Sequence, residues 1–319
     1  MRFYLQSGPL LLLILLWSSI AVAEPLKPGR NKITLEHAGR TRNAIVRVPE
    51  GAPPKAGWPL VLMLHGGGGS AEHLDRRSSW VALARREGAV LVLPNGTPRD
   101  EEKPRSLTGN PQTWNDGGKA SLSTGSQSAA GKGIDDSGFL VALLDEVAKR
   151  TPVDSARVFV AGHSNGSGMA YRVAAEHPER FAAVGVVAGH FRVDDPPRES
   201  PVPLLQITGS EDPLVPLEGG RVGIGLRKTE MPPAITSPER WARLNGNKGE
   251  PAVVEDSREF LTRRWGKEGS REEVLFIVVK GHGHNWPGDA SPLPEAVVGP
   301  DSGTLDATAK VWEFFAVER

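Results

Sequence analysis

The sequence predicts an α/β protein, with a mostly parallel central sheet covered by helices on both faces. Three observations predict it. Short continuous apolar runs, Leu60–Leu64, Ala89–Leu93 and Val274–Val279, have the pattern of strands buried on both faces, as a parallel sheet requires. Helical runs alternate with them, clearest where Phe139, Leu140, Leu143, Leu144 and Val147 keep a 3.6-residue period after Asp136-Ser137. No linker or internal repeat divides the chain, so residues 31–319 are expected to form one domain.

The elements follow in order. Met1-Arg2 is a basic start, Leu10 to Trp17 a compact apolar run, and Ala21-Val22-Ala23 a small-x-small cleavage pattern. Residues 1–23 therefore read as a secretory signal peptide and 24–30 as a short leader, which places the mature protein in the periplasm or outside the cell. Lys32–Glu36 and Asn43–Val48 read as an edge hairpin around Gly39, Leu60–Leu64 as a buried strand, Ala71–Glu87 as one helix and Ala89–Leu93 as the next strand. Residues 96 to 132 are rich in Gly, Ser, Thr and Asn without a period and read as a long functional loop. Beyond the helix that Asp136-Ser137 starts, strands are expected at Arg157–Ala161, Ala182–Val187, Pro203–Thr208 and Val274–Val279. Helices are expected at Asn165–Glu176, Glu239–Leu244 and Leu305–Ala316.

Composition narrows the function. Lys plus Arg equals Asp plus Glu at 38 each, so no field of one sign favours nucleic acid or an acidic membrane surface. Signal removal takes away only Arg2 and leaves 37 basic against 38 acidic residues. With no Cys in the chain, a thiol nucleophile, a thiolate metal site, a lipoprotein cysteine and disulfides are excluded.

Gly162-His163-Ser164-Asn165-Gly166 fits G-x-S-x-G, a motif that chance alone supplies roughly 0.3 times in such a chain. Its context is more specific: it joins the strand Arg157–Ala161 to the helical run from Gly168. Such a strand-to-helix turn strains the serine into exposure and sets helix N–H groups beside its oxygen. The sequon Asn165-Gly166-Ser167 is discounted, because a glycan would block the turn. A serine needs a base and a group to orient that base. Asp212 follows the strand Pro203–Thr208 and is preferred to Glu211, while His282 and His284 both follow Val274–Val279 and both qualify by position. The order Ser, Asp, His is that of α/β-hydrolases. His163 is too close to Ser164 to act as its base, and is expected to line the pocket or to pack. A His-x-His zinc site lacks a third ligand at recognisable spacing, so no metal and no cofactor is expected. His65-Gly66-Gly67-Gly68-Gly69 follows the strand Leu60–Leu64, and the N–H groups of Gly67 and Asn165 are the candidate oxyanion donors. No Gly-Lys-Ser/Thr follows these glycines, which removes the phosphate-loop reading.

The run Pro59–Gly69, Thr113-Trp114-Asn115, Asp135–Leu140, Val158–Gly166, Gly209–Pro216, Gly283–Gly288 and Val311–Phe315 together resemble the polyhydroxybutyrate depolymerase and feruloyl esterase family. The resemblance covers nearly all of residues 31–317, in order. It implies His284 as the base, the histidine before x-Trp-Pro, and a compact α/β-hydrolase without a large lid that acts on short-chain or aryl esters. Relatives often carry cysteines near the Trp-Asn segment, and this chain has none. No separate polymer-binding module is visible, so the expected partner is a small or oligomeric ester, with no nucleic acid and no membrane after signal cleavage. Trp114 and Trp286 are candidates to wall an acyl or aromatic pocket, packing being the alternative. Two other functions stay open: a prolyl-oligopeptidase-type peptidase, against which the missing gating domain speaks, and a non-catalytic binder, against which the intact Ser, Asp and His set speaks.

Overall fold

Apolar runs become strands wherever both faces need covering, and those strands join into one sheet. The computed structural model describes residues 24–118, 128–194, 200–224 and 227–317. The segment read as a signal peptide, and residues 119–127 of the long loop, lie outside the described residues. In chain order the elements are β1 (Gly29–His37), β2 (Arg40–Val48), β3 (Trp58–Leu64), α1 (Ala71–Arg77), α2 (Trp80–Glu87), β4 (Val90–Pro94), β5 (Thr97–Pro98), β6 (Gln112–Thr113), α3 (Asp136–Arg150), β7 (Val153–His163) and α4 (Asn165–Glu176). There follow β8 (Ala183–Val187), β9 (Leu204–Gly209), β10 (Gly220–Ile224), β11 (Arg227–Met231), α5 (Thr236–Leu244), β12 (Ala252–Asp256), β13 (Phe260–Trp265), β14 (Val274–Val279), α6 (Glu295–Val298) and α7 (Ala307–Ala316).

The large sheet has ten strands in the order β1-β2-β4-β3-β7-β8-β9-β14-β13-β12. From β4 to β14 the neighbours run parallel, and antiparallel strands finish both edges. Because side chains alternate across a strand, each parallel strand feeds two cores. Leu60, Leu62, Val160, Val184, Val186 and Phe276 face α3, α4 and α5 through Phe139, Leu143, Met169, Tyr171 and Trp241. Val61, Met63, Phe159, Ala161, Ile207 and Ile277 face α1, α2 and α7 through Ala71, Trp80, Leu83, Val311 and Phe315. Helices therefore cover both faces, as the alternation of elements predicted. Among the described residues no helix is long and apolar enough to cross a membrane.

Three expectations change in detail. The helix over Ala71–Glu87 is two helices: Ser78 is extended (ψ 137°), and the Ser79 N–H donates to Asp289 Oδ1 at 3.0 Å. Strand Arg157–Ala161 extends to Val153–His163: Val153 pairs with Trp58 at the start of β3, and the largely exposed residues between it and Val158 lie at a register irregularity, so no burial pattern marks them. The long loop carries a small β5–β6 ladder. Two hairpins, β10–β11 and β12–β13, were not visible in the sequence. All of β12 is exposed, so no burial pattern marks it. The first hairpin turns at Ala38-Gly39, both at positive φ (49° and 73°), as two-residue hairpin turns require.

One buried ion pair ties β2 to α3. Arg42 Nη2 donates to Asp136 Oδ1 at 2.6 Å, with side chains 6% and 0% exposed, and the guanidinium stacks 4.0 Å from the Phe139 ring. Oδ2 of the same carboxylate accepts the Asn115 N–H at 2.7 Å. Removing one member leaves the other charge buried and unpaired. Asp136→Ala should lower the unfolding free energy by about 3–5 kcal/mol in equilibrium denaturation. A loss below about 1 kcal/mol, within the range of ordinary surface substitutions, would remove this pair from the fold's main supports.

Candidate active site

The site lies along the carboxyl ends of β3, β7, β9 and β14, where loops of parallel sheets collect functional groups. Ser164 joins β7 to α4 at φ 54° and ψ −119°, a conformation costly for a residue with a Cβ. Its N–H is held by Val187 O at 2.9 Å. The turn tolerates no side chain at its flanks. A methyl added at Gly162 would fall 2.2 Å from Gly166 O, and one at Gly166 would fall 2.4 Å from Leu64 O. Those glycines let the turn press against the end of β3.

Asp212 and His284 follow neighbouring parallel strands, β9 and β14. Their turns are stitched by Glu211 N–H to His282 O (2.8 Å) and Gly281 N–H to Ser210 Oγ (2.8 Å). His284 Nδ1 lies 2.8 Å from Asp212 Oδ2, and Nε2 lies 2.8 Å from Ser164 Oγ. An ionised carboxylate only accepts, so the neutral ring carries its proton on Nδ1 and turns the Nε2 lone pair toward the serine hydroxyl. Burial pushes the Asp212 carboxyl up, but His284, its hydrogen bond and the N–H groups of Val215 and Leu214 outweigh burial and hold the carboxyl below its ordinary value. Glu211, the other acid considered, is exposed.

The remaining histidines take different places. His282 is 1% exposed: Nδ1 accepts the Ser302 N–H at 3.2 Å, and Nε2 faces Asn285 O at 3.3 Å. It braces the loop beyond β14 and does not join His284 as a ligand pair. His163 is half-buried with Nε2 2.9 Å from His284 O, so that N–H donates to the backbone of His284. Burial and the neighbouring His284 lower its pKa to about 3. His65 Nδ1–H donates to Gly66 O at 2.8 Å while Nε2 accepts the Gly96 N–H at 3.0 Å. Burial lowers the His65 pKa to about 4, which keeps that pairing fixed.

Gly67 and Asn165 meet across the serine. A methyl at Gly67 would lie 3.9 Å from Asn165 Cβ, and one at Gly66 would lie 3.4 Å from Ser164 Cβ. Asn165 is the first residue of α4, where N–H groups lack helical partners. Neither the Gly67 nor the Asn165 N–H donates to another described residue. Both remain available to an oxygen held above Ser164.

The two tryptophans proposed for the pocket are packed, Trp114 1% and Trp286 7% exposed. Trp114 Nε1 donates to His65 O at 2.9 Å, which anchors the glycine loop from beneath. Trp286 Nε1 donates to Thr308 Oγ1 at 2.9 Å, and its ring stands edge-on to Trp80. Sequence reasoning used only the backbone of Asn165. Its side chain accepts the Trp114 N–H (2.7 Å) and donates to Trp114 O (3.1 Å) and Asp116 Oδ2 (3.0 Å). The run Trp114-Asn115-Asp116 within a glycine-rich stretch was the available signal for this clasp.

Sheet order, elbow and edge-aligned site define an α/β-hydrolase fold. An acetyl xylan esterase from Aspergillus awamori matches with a TM-score of 0.57 at 17% identity, over 90% of this chain and 99% of its own. That likeness establishes the fold. The family model described as "Esterase PHB depolymerase" matches residues 44–215, a span that takes in Ser164 and Asp212 and stops short of His284. The chain is similar to NocK of Nocardia uniformis subsp. tsuyamanensis, with 31% identity over 87% of this chain and 80% of that protein. Feruloyl esterase C of Emericella nidulans is 29% identical over 86% of this chain and 83% of its own. The chain belongs to the PHB depolymerase esterase family and is a carboxylic ester hydrolase.

A carboxyl held below its unfolded pKa stabilises the fold fully above that unfolded value, and the contribution is lost as pH falls through the lower folded value. Asp212→Asn should therefore reduce stability at neutral pH and flatten the loss of stability below the ordinary aspartate value of 3.8. Denaturant titrations across the acid range measure this, and identical pH slopes in the two proteins would contradict the assignment.

Proposed function

We propose that the protein is a secreted or periplasmic serine esterase that works through an acyl-enzyme on short-chain or aryl esters. The observation that carries this reading is the continuous chain from Ser164 Oγ through His284 to Asp212, with 2.8 Å at each contact, at a strained strand-to-helix turn. Secretion is supported by the basic start, apolar run and Ala-Val-Ala site of the first 23 residues. The kinship with a feruloyl esterase and the fold likeness to an acetyl xylan esterase support acyl groups of that size range.

In this mechanism Ser164 Oγ attacks the ester carbonyl carbon and its proton passes to His284 Nε2. The carbonyl oxygen, now negative, takes the N–H groups of Gly67 and Asn165, where each preorganised donor contributes roughly 100- to 1000-fold in rate. The protonated His284 gives its proton to the departing alcohol. Asp212 stabilises the imidazolium and keeps Nδ1 protonated. Water then enters, loses a proton to Nε2, attacks the acyl carbon and frees the acid, returning Ser164 to its starting state. His163, neutral and hydrogen-bonded to the His284 carbonyl, holds the base's backbone without adding a competing charge.

A panel of p-nitrophenyl esters from acetyl to octanoyl, with methyl ferulate, tests the reading on wild type and Ser164→Ala. Turnover in the wild type should fall by at least about a thousandfold in the mutant, with the fold intact by circular dichroism. Undiminished turnover in Ser164→Ala, or none on any ester by folded wild type, would overturn it.

A further inference from the structure

The two candidate oxyanion donors stand on segments that do not bond each other. Gly67 belongs to the loop after β3 and Asn165 to the start of α4. Among the described residues no hydrogen bond runs between residues 65–69 and residues 164–168. A third segment, residues 112–116, bonds both. Gln112 O accepts the Gly68 N–H at 2.7 Å, and Trp114 Nε1 donates to His65 O at 2.9 Å. These two bonds bracket Gly67, one on either side of it in the chain. From the same strap the Trp114 N–H donates to Asn165 Oδ1 at 2.7 Å, while Asn165 Nδ2 donates to Trp114 O at 3.1 Å and to Asp116 Oδ2 at 3.0 Å. The pattern suits an amide, whose oxygen meets one donor and whose nitrogen meets two acceptors. A carboxylate in its place would set an oxygen against Trp114 O and Asp116 Oδ2.

The strap is itself fixed from behind. The Asn115 N–H reaches Asp136 Oδ2 at 2.7 Å and Arg172 Nη1 reaches Asn115 O at 2.8 Å, while Gln112 Nε2 donates to Gly96 O at 3.0 Å. Trp114 is 1% exposed, and its ring lies 4.9 Å from that of His65, so the indole has no room to swing away. Oxyanion stabilisation depends on donors fixed in advance at the spacing the tetrahedral oxygen needs, and a misplacement of about 1 Å can cost about a hundredfold in rate. Taking the esterase reading as its basis, we propose that the Trp114 indole and the Asn165 side chain are positioning residues. Together they set the separation of the Gly67 and Asn165 N–H groups, and through it the stabilisation of the tetrahedral intermediate. Neither side chain acts by touching the substrate. Binding of the ester before attack draws little on that spacing, because the planar carbonyl oxygen carries little charge. The effect therefore falls on the transition state and leaves ground-state binding alone.

Two variants test this. Trp114→Phe keeps an aromatic ring and removes the N–H to His65 O, while Asn165→Ala removes the clasp and keeps the backbone N–H. On p-nitrophenyl butyrate each should lower kcat by about ten- to a hundredfold, less than the loss of a donor outright, with KM close to that of wild type. Phenylboronic acid, which forms a tetrahedral adduct on Ser164, should lose affinity by the same factor as kcat/KM. The pH profile of kcat/KM should keep its wild-type midpoint, since Ser164, His284 and Asp212 are untouched. A kcat unchanged in either variant that folds overturns the proposal, and so does a loss carried by KM. A fall in kcat without the matching loss of boronate affinity, or with a shifted pH midpoint, also overturns it and makes the strap a general support of the triad. Should Trp114→Phe fail to fold by circular dichroism, the Asn165→Ala result decides alone. Failure of the esterase reading looks different: the wild type then turns over no ester, or Ser164→Ala retains activity, and this proposal falls with it.

Discussion

The site hangs on one close approach, that of the β7–α4 turn to the carboxyl end of β3. Ser164 adopts a positive φ, and the backbone of Gly166 lies where any side chain would strike Leu64 O and His65 O. Strain of this kind persists only where the surroundings over-determine it. Here Val187 O holds the Ser164 N–H, the Ser167 hydroxyl donates to Gly162 O or Val187 O, and two cores press the flanking strands from both faces. The glycine loop and the start of α4 meet across the serine because the turn comes so near β3.

Burial sorts the histidines at this edge into different tasks. His65 and His163 are both driven neutral, to about 4 and 3, and in each the ring's hydrogen bonds fix which nitrogen carries the proton. Only His284 faces a buried carboxylate. A second cation beside it would oppose formation of an imidazolium, so the neutrality of His163 matters as much as the presence of Asp212.

A chain without cysteine has to hold its glycine-rich segment by other means. The route is continuous: Arg42 to Asp136, Asp136 to the Asn115 N–H, and Trp114 and Asp116 to the Asn165 side chain. Arg172 adds a hydrogen bond from Nη1 to Asn115 O at 2.8 Å. Order passes this way from the edge hairpin to the residue beside the serine. The cost of burying Arg42 and Asp136 is offset by the hydrogen bonds that use both carboxylate oxygens.

What the sequence determined by itself was whatever leaves a periodic or glycine signature. Strands buried on both faces, such as Leu60–Leu64 and Val274–Val279, read directly as apolar runs, and the Ser, Asp and His turns followed from their ends. Exposed strands such as Ala252–Asp256 left no such trace, because pattern reports burial and these residues have none. The break at Ser78-Ser79 needed Asp289, 210 residues away. Position alone did not separate His282 from His284, and only their partners do: Asp212 and Ser164 for one, Ser302 and Asn285 for the other. Whether a tryptophan walls a pocket or braces a loop depends on groups that tertiary packing brings together. Local sequence carries burial and turn chemistry, while contacts between distant segments exist only once the sheet has set the strand order.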